Sequence, residues 1–360
     1  MKCHEVRGLI LFGLCSVGCL SPAAERAEHD ATVGYATVDD RAVVVAEGLA
    51  AVRHAGDDRL VLWASAPSLS LSIARGAATD LEMTIENCMP DLELVVDRGV
   101  ASVVPLSSEV PTQKRFQIQL GTAETRFTAR SVTAVSGAFA FGVMSDVQEA
   151  IDEVQDVFGA MNREVGLDFI LGAGDLTERG SRSELARFQH ELRSLRLPYY
   201  TTLGNHELGN DVGTYQQYFG RGSFSFSHRG VRFTLLDSAS ATIDDAVYDW
   251  LDHWLALGQR DPHVVAMHIP PLDPTGVRNG AFASRAEAAK LLGLLARSGV
   301  DLTLYGHIHS YYSFINAGID AHISGGGGAI PERFDNIGRH FLVVEVADAG
   351  TLSTRVVRVD

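Results

Sequence analysis

Seven side chains able to hold a metal or move a proton sit where apolar runs give way to turns. His307 and His309 lie one residue apart in "LYGHIHSYY" (304–312), at the end of "VDLTLY". In an extended chain residues i and i+2 point the same way, so the two imidazoles share a face. Paired imidazoles at a strand end suit metal binding, although two solvated loop histidines would look the same in isolation. The partners decide between these readings. Asp146 closes one apolar run in "SDVQ", and Asp175 closes a second in "GDLT". Asn205 and His206 close a third in "GNHE", and His268 a fourth in "MHIPP". Any one has a plain structural explanation: Asp caps helices, Asn and Gly make turns, and a lone His can be a satisfied core residue. Jointly they offer carboxylate and amide oxygens with imidazole nitrogens, a donor set for divalent metal.

Positioning those residues requires particular elements. "FAFGVM" (139–144), "FILGAG" (169–174), "YYTTLG" (199–204), "VRFTLLD" (231–237) and "HVVAM" (263–267) read as buried strands. Helical spacing appears between them. Ile151, Val154, Phe158 and Met161 form one stripe ended by Gly166; Leu185, Phe188, Leu192 and Leu195 form another behind the capping box "SRSE" (181–184). Val247, Leu251 and Trp254 mark a third helix, and "SRAE" (284–287) opens a fourth. Strands alternating with helices predict an α/β domain. The steps from Asp146 to Asp175 and on to Asn205 each suit one βαβ unit, so these strand ends are neighbours. Sites in such sheets form outside the carboxyl ends of the strands. "HFLVVEV" and "TLSTRVVRV" predict a closing hairpin around Asp348 to Gly350.

The motifs "SDVQ", "GDLT", "GNHE", "MH" and "GHIH", in this order, resemble those of the calcineurin-like metallophosphoesterase superfamily, over roughly residues 136 to 345. The resemblance implies a four-layer α/β/β/α sandwich with two divalent metal ions (Mn, Fe or Zn) at the strand ends. It implies that Asp175 bridges both metals, that Asp146 and His309 bind the first, and that Asn205, His268 and His307 bind the second. It places His206 just outside them, facing the leaving group. Such metals lie about 3.5–4 Å apart and lower the pKa of bound water, so the expected reaction is in-line attack of hydroxide on a phosphomonoester or phosphodiester. One position departs from the family pattern: the first motif is usually Asp-x-His, and here Gln148 replaces the histidine. Either its amide oxygen ligates, tilting preference toward harder ions such as Mn²⁺, or it does not ligate and the first metal is weak. The layout also resembles purple acid phosphatases, but Glu178 stands where they carry a tyrosine, so a tyrosinate-bound ferric ion is not expected.

Other features bound the function. A formal net charge of −15 argues against nucleic-acid binding. It leaves room for a phosphorylated small-molecule substrate, because bound metals reverse the local sign. Lys2 and Arg7 precede the short apolar run "GLILFGL" (8–14), and "SVGC" resembles a bacterial lipobox. Residues 1–19 thus read as a signal peptide, with a lipid anchor on Cys19 as the membrane partner; cleavage near "SPAA" (21–24) would give a soluble exported protein instead. Only Cys88 then remains in the mature chain, so no internal disulfide is available. Residues 20–38 read as a tether without apolar period. Residues 39–135 read as a small all-β sandwich-like domain from the alternation in "SLSLSI", "LEMTIEN" and "RFQIQLG", and 136–360 as the phosphoesterase domain. "SGGGGAI" (324–330) reads as a close-approach loop at the rim, and Arg179 and Arg182 as surface residues at a helix start. Two other functional classes fit. One is a weakened, metallophosphoesterase-like sensor of a phosphorylated ligand. The other is an envelope-binding protein whose β domain meets the partner.

Overall fold

The computed structural model describes residues 21–359 apart from 39–40, 57, 134–135, 210, 277–279 and 333–335. The signal-like residues 1–19 lie outside the described residues. Period-two alternation along the strand Phe139–Met144 sets the layers. Phe139, Phe141 and Val143 face one core, while Ala140 and Met144 face another. A strand buried on both faces reads as a continuous apolar run, which is why "FAFGVM" shows no polar alternation. It is central in a five-stranded sheet ordered Tyr199–Thr202, Leu167–Ala173, Phe139–Met144, His340–Val346, Leu352–Arg358. The first three run parallel, and the last two form the expected antiparallel hairpin. A six-stranded sheet is ordered Phe224–His228, Val231–Leu236, His263–Met267, Leu302–Tyr305, Ile319–Ser324, Tyr311–Asn316. Its four inner strands are parallel.

The two sheets face each other across an aromatic core. Phe141 stacks on Phe169 with ring centroids 5.7 Å apart, and Phe233 meets both edge-on. The helices Gln155–Met161 and Arg182–Glu191 cover the outer face of the first sheet through Phe158 and Phe188. The helices Asp245–Leu257 and Arg285–Arg297 cover the second through Leu251, Trp254, Leu291 and Leu295. The result is the four-layer α/β/β/α sandwich. Upstream, strands between residues 35 and 131 form two five-stranded sheets that bury Leu71, Met83, Ile118 and Phe127 between them. Cys88 is buried there as a free thiol. Asn87 locks this β unit to the first sheet. Its amide nitrogen donates to the Ala64 and Tyr199 carbonyls at 2.8 Å, and its oxygen accepts the Tyr199 N–H at 2.7 Å.

The stretch expected to be a tether is instead a helix, Pro22–Thr32, N-capped by Ser21. Its buried residues are Ala23, Arg26, Ala27 and Asp30, spaced i, i+3, i+4, i+7. The helical period is present, but small and charged side chains carry it, so a search for apolar periodicity passes over it. Both buried charges have partners in the α/β unit. The Arg26 guanidinium forks onto the Asp237 carboxylate at 2.6 and 3.2 Å.

Candidate metal centre

Every residue singled out at a strand end lies at the carboxyl edge of the two sheets. Asp146 follows Phe139–Met144, Asp175 follows Leu167–Ala173, and Asn205 opens a short helical turn after Tyr199–Thr202. His268 follows His263–Met267, and His307 and His309 follow Leu302–Tyr305. The loops approach closely enough for these side chains to meet. A Cβ on Gly204 would lie 2.1 Å from Asp175 Oδ1, so only glycine lets the third motif pass the second. Asp175 Oδ2 stands 3.1 Å from His268 Nε2 and 2.8 Å from Gln148 Nε2, and Asp175 Oδ1 accepts the His206 N–H at 2.9 Å. Asn205 Oδ1 lies 3.1 Å from His268 Nε2. Asp146 Oδ2 accepts the His307 N–H at 3.0 Å and the Ser145 hydroxyl, while Asp146 Oδ1 lies 3.4 Å from His309 Nε2. One ligand atom each of Asp175, His268 and His307 falls within 4.8 Å of the other two. Asp146, Asp175 and His268 are at most 1% exposed.

The histidine tautomers test whether a cation belongs here. His268 Nδ1 sits 2.8 Å from the Ala173 carbonyl and His309 Nδ1 2.7 Å from the Ile330 carbonyl. A ring nitrogen against a carbonyl must carry a proton, so in the neutral ring each Nε2 keeps its lone pair facing inward. His268 Nε2 then faces two acceptors, Asp175 Oδ2 and Asn205 Oδ1, with no donor between them. A cation resolves that conflict. The electrostatics agree. Burial opposes the His268 imidazolium, yet the Asp175 and Asp146 carboxylates raise its pKa to about 9. Asp146 Oδ1 is itself buried with no hydrogen-bond donor among the described residues. Lone pairs and carboxylates converging in a dry pocket fit divalent metal.

The chain is similar to known phosphoesterases. The family model described as calcineurin-like phosphoesterase matches residues 139–311. Residues 139–311 form a calcineurin-like phosphoesterase domain. A curated relative, a 3′,5′-cyclic-nucleotide phosphodiesterase of Nostoc sp., is 28% identical over 158 residues, covering 41% of this chain and 57% of the relative. The chain thus matches little more than half the length of that relative. A purple acid phosphatase from yellow lupin seeds shares the fold, with a TM-score of 0.55 and 14% identity over 81% of this chain and 70% of that one.

Within the phosphoesterase domain, Gln148 reaches the cluster. Its amide nitrogen lies 2.8 Å from Asp175 Oδ2 and 3.1 Å from His309 Nε2. The opposite orientation of the same planar amide presents Oε1 at that point. His206 is anchored through Nδ1 to the Glu178 carbonyl at 2.7 Å, with Nε2 3.9 Å from Asp175 Oδ2 and the side chain 29% exposed. Sequence reasoning missed Glu207. Its carboxylate accepts the Thr177 N–H at 2.9 Å, the Thr177 hydroxyl at 3.0 Å and the Gly204 N–H at 2.9 Å, tying the loop of Asp175 to the loop of Asn205. Burial, reinforced by the Asp175 charge, pushes its pKa up to about 8. Its signal was the fourth letter of "GNHE", an acid one step past the expected ligands. The glycine-rich stretch is a close-approach loop whose backbone supports the cluster. Gly327 N–H donates to the Ser145 carbonyl and Ala329 N–H to the Asp146 carbonyl, both at 2.9 Å. A Cβ on Gly327 would stand 2.5 Å from Ser145 O. His322 turns to Tyr311, 3.2 Å from its hydroxyl, and Arg182 donates to Gln217.

Proposed function

We propose that this chain is a metal-dependent phosphoester hydrolase that uses two divalent ions held by Asp146, Gln148, Asp175, Asn205, His268, His307 and His309. The carrying observation is that one ligand atom each of Asp175, His268 and His307 converges within 4.8 Å at the strand ends, His268 Nε2 lying 3.1 Å from Asp175 Oδ2. Bound there, divalent ions supply positive charge toward a phosphate and a hydroxide nucleophile near neutral pH. The chain's own residues do the rest. Asp146 and Asp175 set the charge of the site so that an anion is still attracted once metal is present. His206, outside the ligand cluster and partly exposed, is the group that can pass a proton to a departing oxygen from Nε2.

A nucleotide phosphodiester is the favoured substrate class, because the Nostoc relative is named a 3′,5′-cyclic-nucleotide phosphodiesterase. The test is metal analysis of the purified chain together with a panel of cyclic nucleotides, other diesters and monoesters. Two metals per chain, loss of turnover on chelation and its return with Mn²⁺ or Zn²⁺ are expected. A metal-free protein inert on every ester would overturn the hydrolase reading in favour of ligand binding. On the strength of "SVGC" alone, we further propose export to the bacterial envelope with a lipid on Cys19.

A further inference from the structure

We propose that Arg26 and Asp30 of the helix Pro22–Thr32 are positioning residues for the metal held by Asn205 and His268, because hydrogen-bond chains from both reach residues close to those two ligands in sequence. The inference rests on the metal-dependent reading above. Both residues lie outside the matched stretch 139–311, so neither belongs to the phosphoesterase motifs.

Arg26 forks onto Asp237, at 2.6 Å through Nε and 3.2 Å through Nη2, and Nη2 also donates to Ser240 Oγ at 3.0 Å. Asp237 ends the strand Val231–Leu236, which lies beside the strand leading to His268. The next residue, Ser238, accepts the Ile269 N–H through Oγ at 2.8 Å, one residue beyond His268. Asp30 works on the other ligand. Its Oδ1 accepts the Gly222 N–H at 2.9 Å and the Gln216 amide at 3.0 Å, and its Oδ2 accepts the Ser223 N–H at 2.8 Å. The Gly222 carbonyl accepts the Thr202 hydroxyl at 2.8 Å, three residues before Asn205, and the same hydroxyl reaches Leu236 O at 3.2 Å. Ser223 Oγ accepts the Asp237 N–H at 2.9 Å, closing a ring through Arg26, Asp237, Ser223 and Asp30. The ring is dry: Arg26 is 4% exposed, Asp30 2% and Ser223 0%. A forked guanidinium sets the plane and distance of its carboxylate partner, which lysine cannot do. Groups that orient metal ligands from behind change metal affinity about 10–100-fold when removed.

The experiment titrates Mn²⁺ and Zn²⁺ into the full chain by calorimetry, with His268→Ala marking which affinity class belongs to the Asn205/His268 metal. Arg26→Met strands the buried Asp237 carboxylate and can unfold the chain, so Arg26→Met/Asp237→Asn and Arg26→Lys are measured beside it. The expected result is a loss of about tenfold in the marked class only. Turnover should recover at high metal concentration, and Arg26→Lys should fall between wild type and the paired variant. A cooperatively folded paired variant that binds both metals like wild type would overturn the inference and leave the hydrolase reading standing. A wild-type chain that binds no divalent metal would overturn both.

Discussion

Asp146, Gln148, Asp175 and His307 hold positive φ values of 62°, 47°, 52° and 71°. Left-handed backbone costs a non-glycine residue of order 1–3 kcal/mol and persists where its surroundings over-determine it. Here the Asp146 N–H is held by the Gly174 carbonyl, and the Val147 and Gln148 N–H groups by the Asp175 carbonyl. The chain turns sharply after each strand, so the side chain doubles back over the sheet edge. Histidine tolerates this conformation better than most residues, which makes Gln148→His a clean test. It should tighten the first metal site and move its preference toward Zn²⁺, leaving the second unchanged. Equal Zn²⁺/Mn²⁺ competition in wild type and variant would remove Gln148 from the ligand set. His206→Ala should slow alkyl and nucleoside phosphoesters by about 10²–10⁴-fold but nitrophenyl esters much less, because nitrophenolate departs without a proton. Metal content should stay the same. Equal losses across a leaving-group series would mean that His206 only positions phosphate. The aspartates and histidines of this cluster were legible because each ends a strand-like run. Glu207 was not, because a buried acid that clamps backbone reads in sequence as one more surface glutamate.

Among the elements, legibility followed side-chain chemistry. The strands of both sheets that carry ligands announced themselves as apolar runs. The hairpin Tyr311–Asn316/Ile319–Ser324 did not, since its turn places Ala317 at φ 52° before Gly318 at φ 86°, without the Asn-Gly signature such turns usually show. The helix Pro22–Thr32 was missed because its packed face is built on Arg26 and Asp30. Burial pushes the Asp30 carboxyl up to about 6 from 3.8, against the Arg221 charge and the N–H and amide donors that lower it. The folded state therefore keeps a proton on Asp30 that the unfolded chain has already lost. Its contribution to stability is full below about pH 4 and declines as pH rises through about 6, by at most about 3 kcal/mol. Asp30→Asn cannot titrate there. Urea unfolding at several pH values should show the stability of wild type relative to Asp30→Asn falling between about pH 4 and pH 7. A constant difference across that range would show that this carboxyl does not titrate.

For the whole molecule, the β unit and the phosphoesterase domain meet through specific polar contacts. Beside Asn87, Arg53 donates to Gln189 Oε1 at 2.7 Å and to the Tyr218 carbonyl at 3.1 Å, and Ser65 Oγ donates to the Phe219 carbonyl at 2.9 Å. Sequence alternation identified the β strands but gave no hint of this interlock, because a single Asn such as Asn87 looks like any turn residue. The proposed anchor is testable at this scale. Cys19→Ala should move the protein from the membrane fraction to the soluble exported fraction, read by fractionation and immunoblot. Unchanged membrane association would exclude lipid on Cys19 as the anchor.

The clasp between Arg26 and Asp237 joins residues 211 positions apart in the chain. Closing a loop of that length is entropically costly and slow compared with local contacts. The helix Pro22–Thr32 is therefore among the last elements to dock, against the usual order in which amino-terminal segments fold first during synthesis. Until residues 222, 223 and 237 have emerged and folded, Arg26 and Asp30 have no partners to meet. On the proposed export route, the helix Pro22–Thr32 would thus stay undocked for most of the chain's passage across the membrane and would dock only as the fold completes.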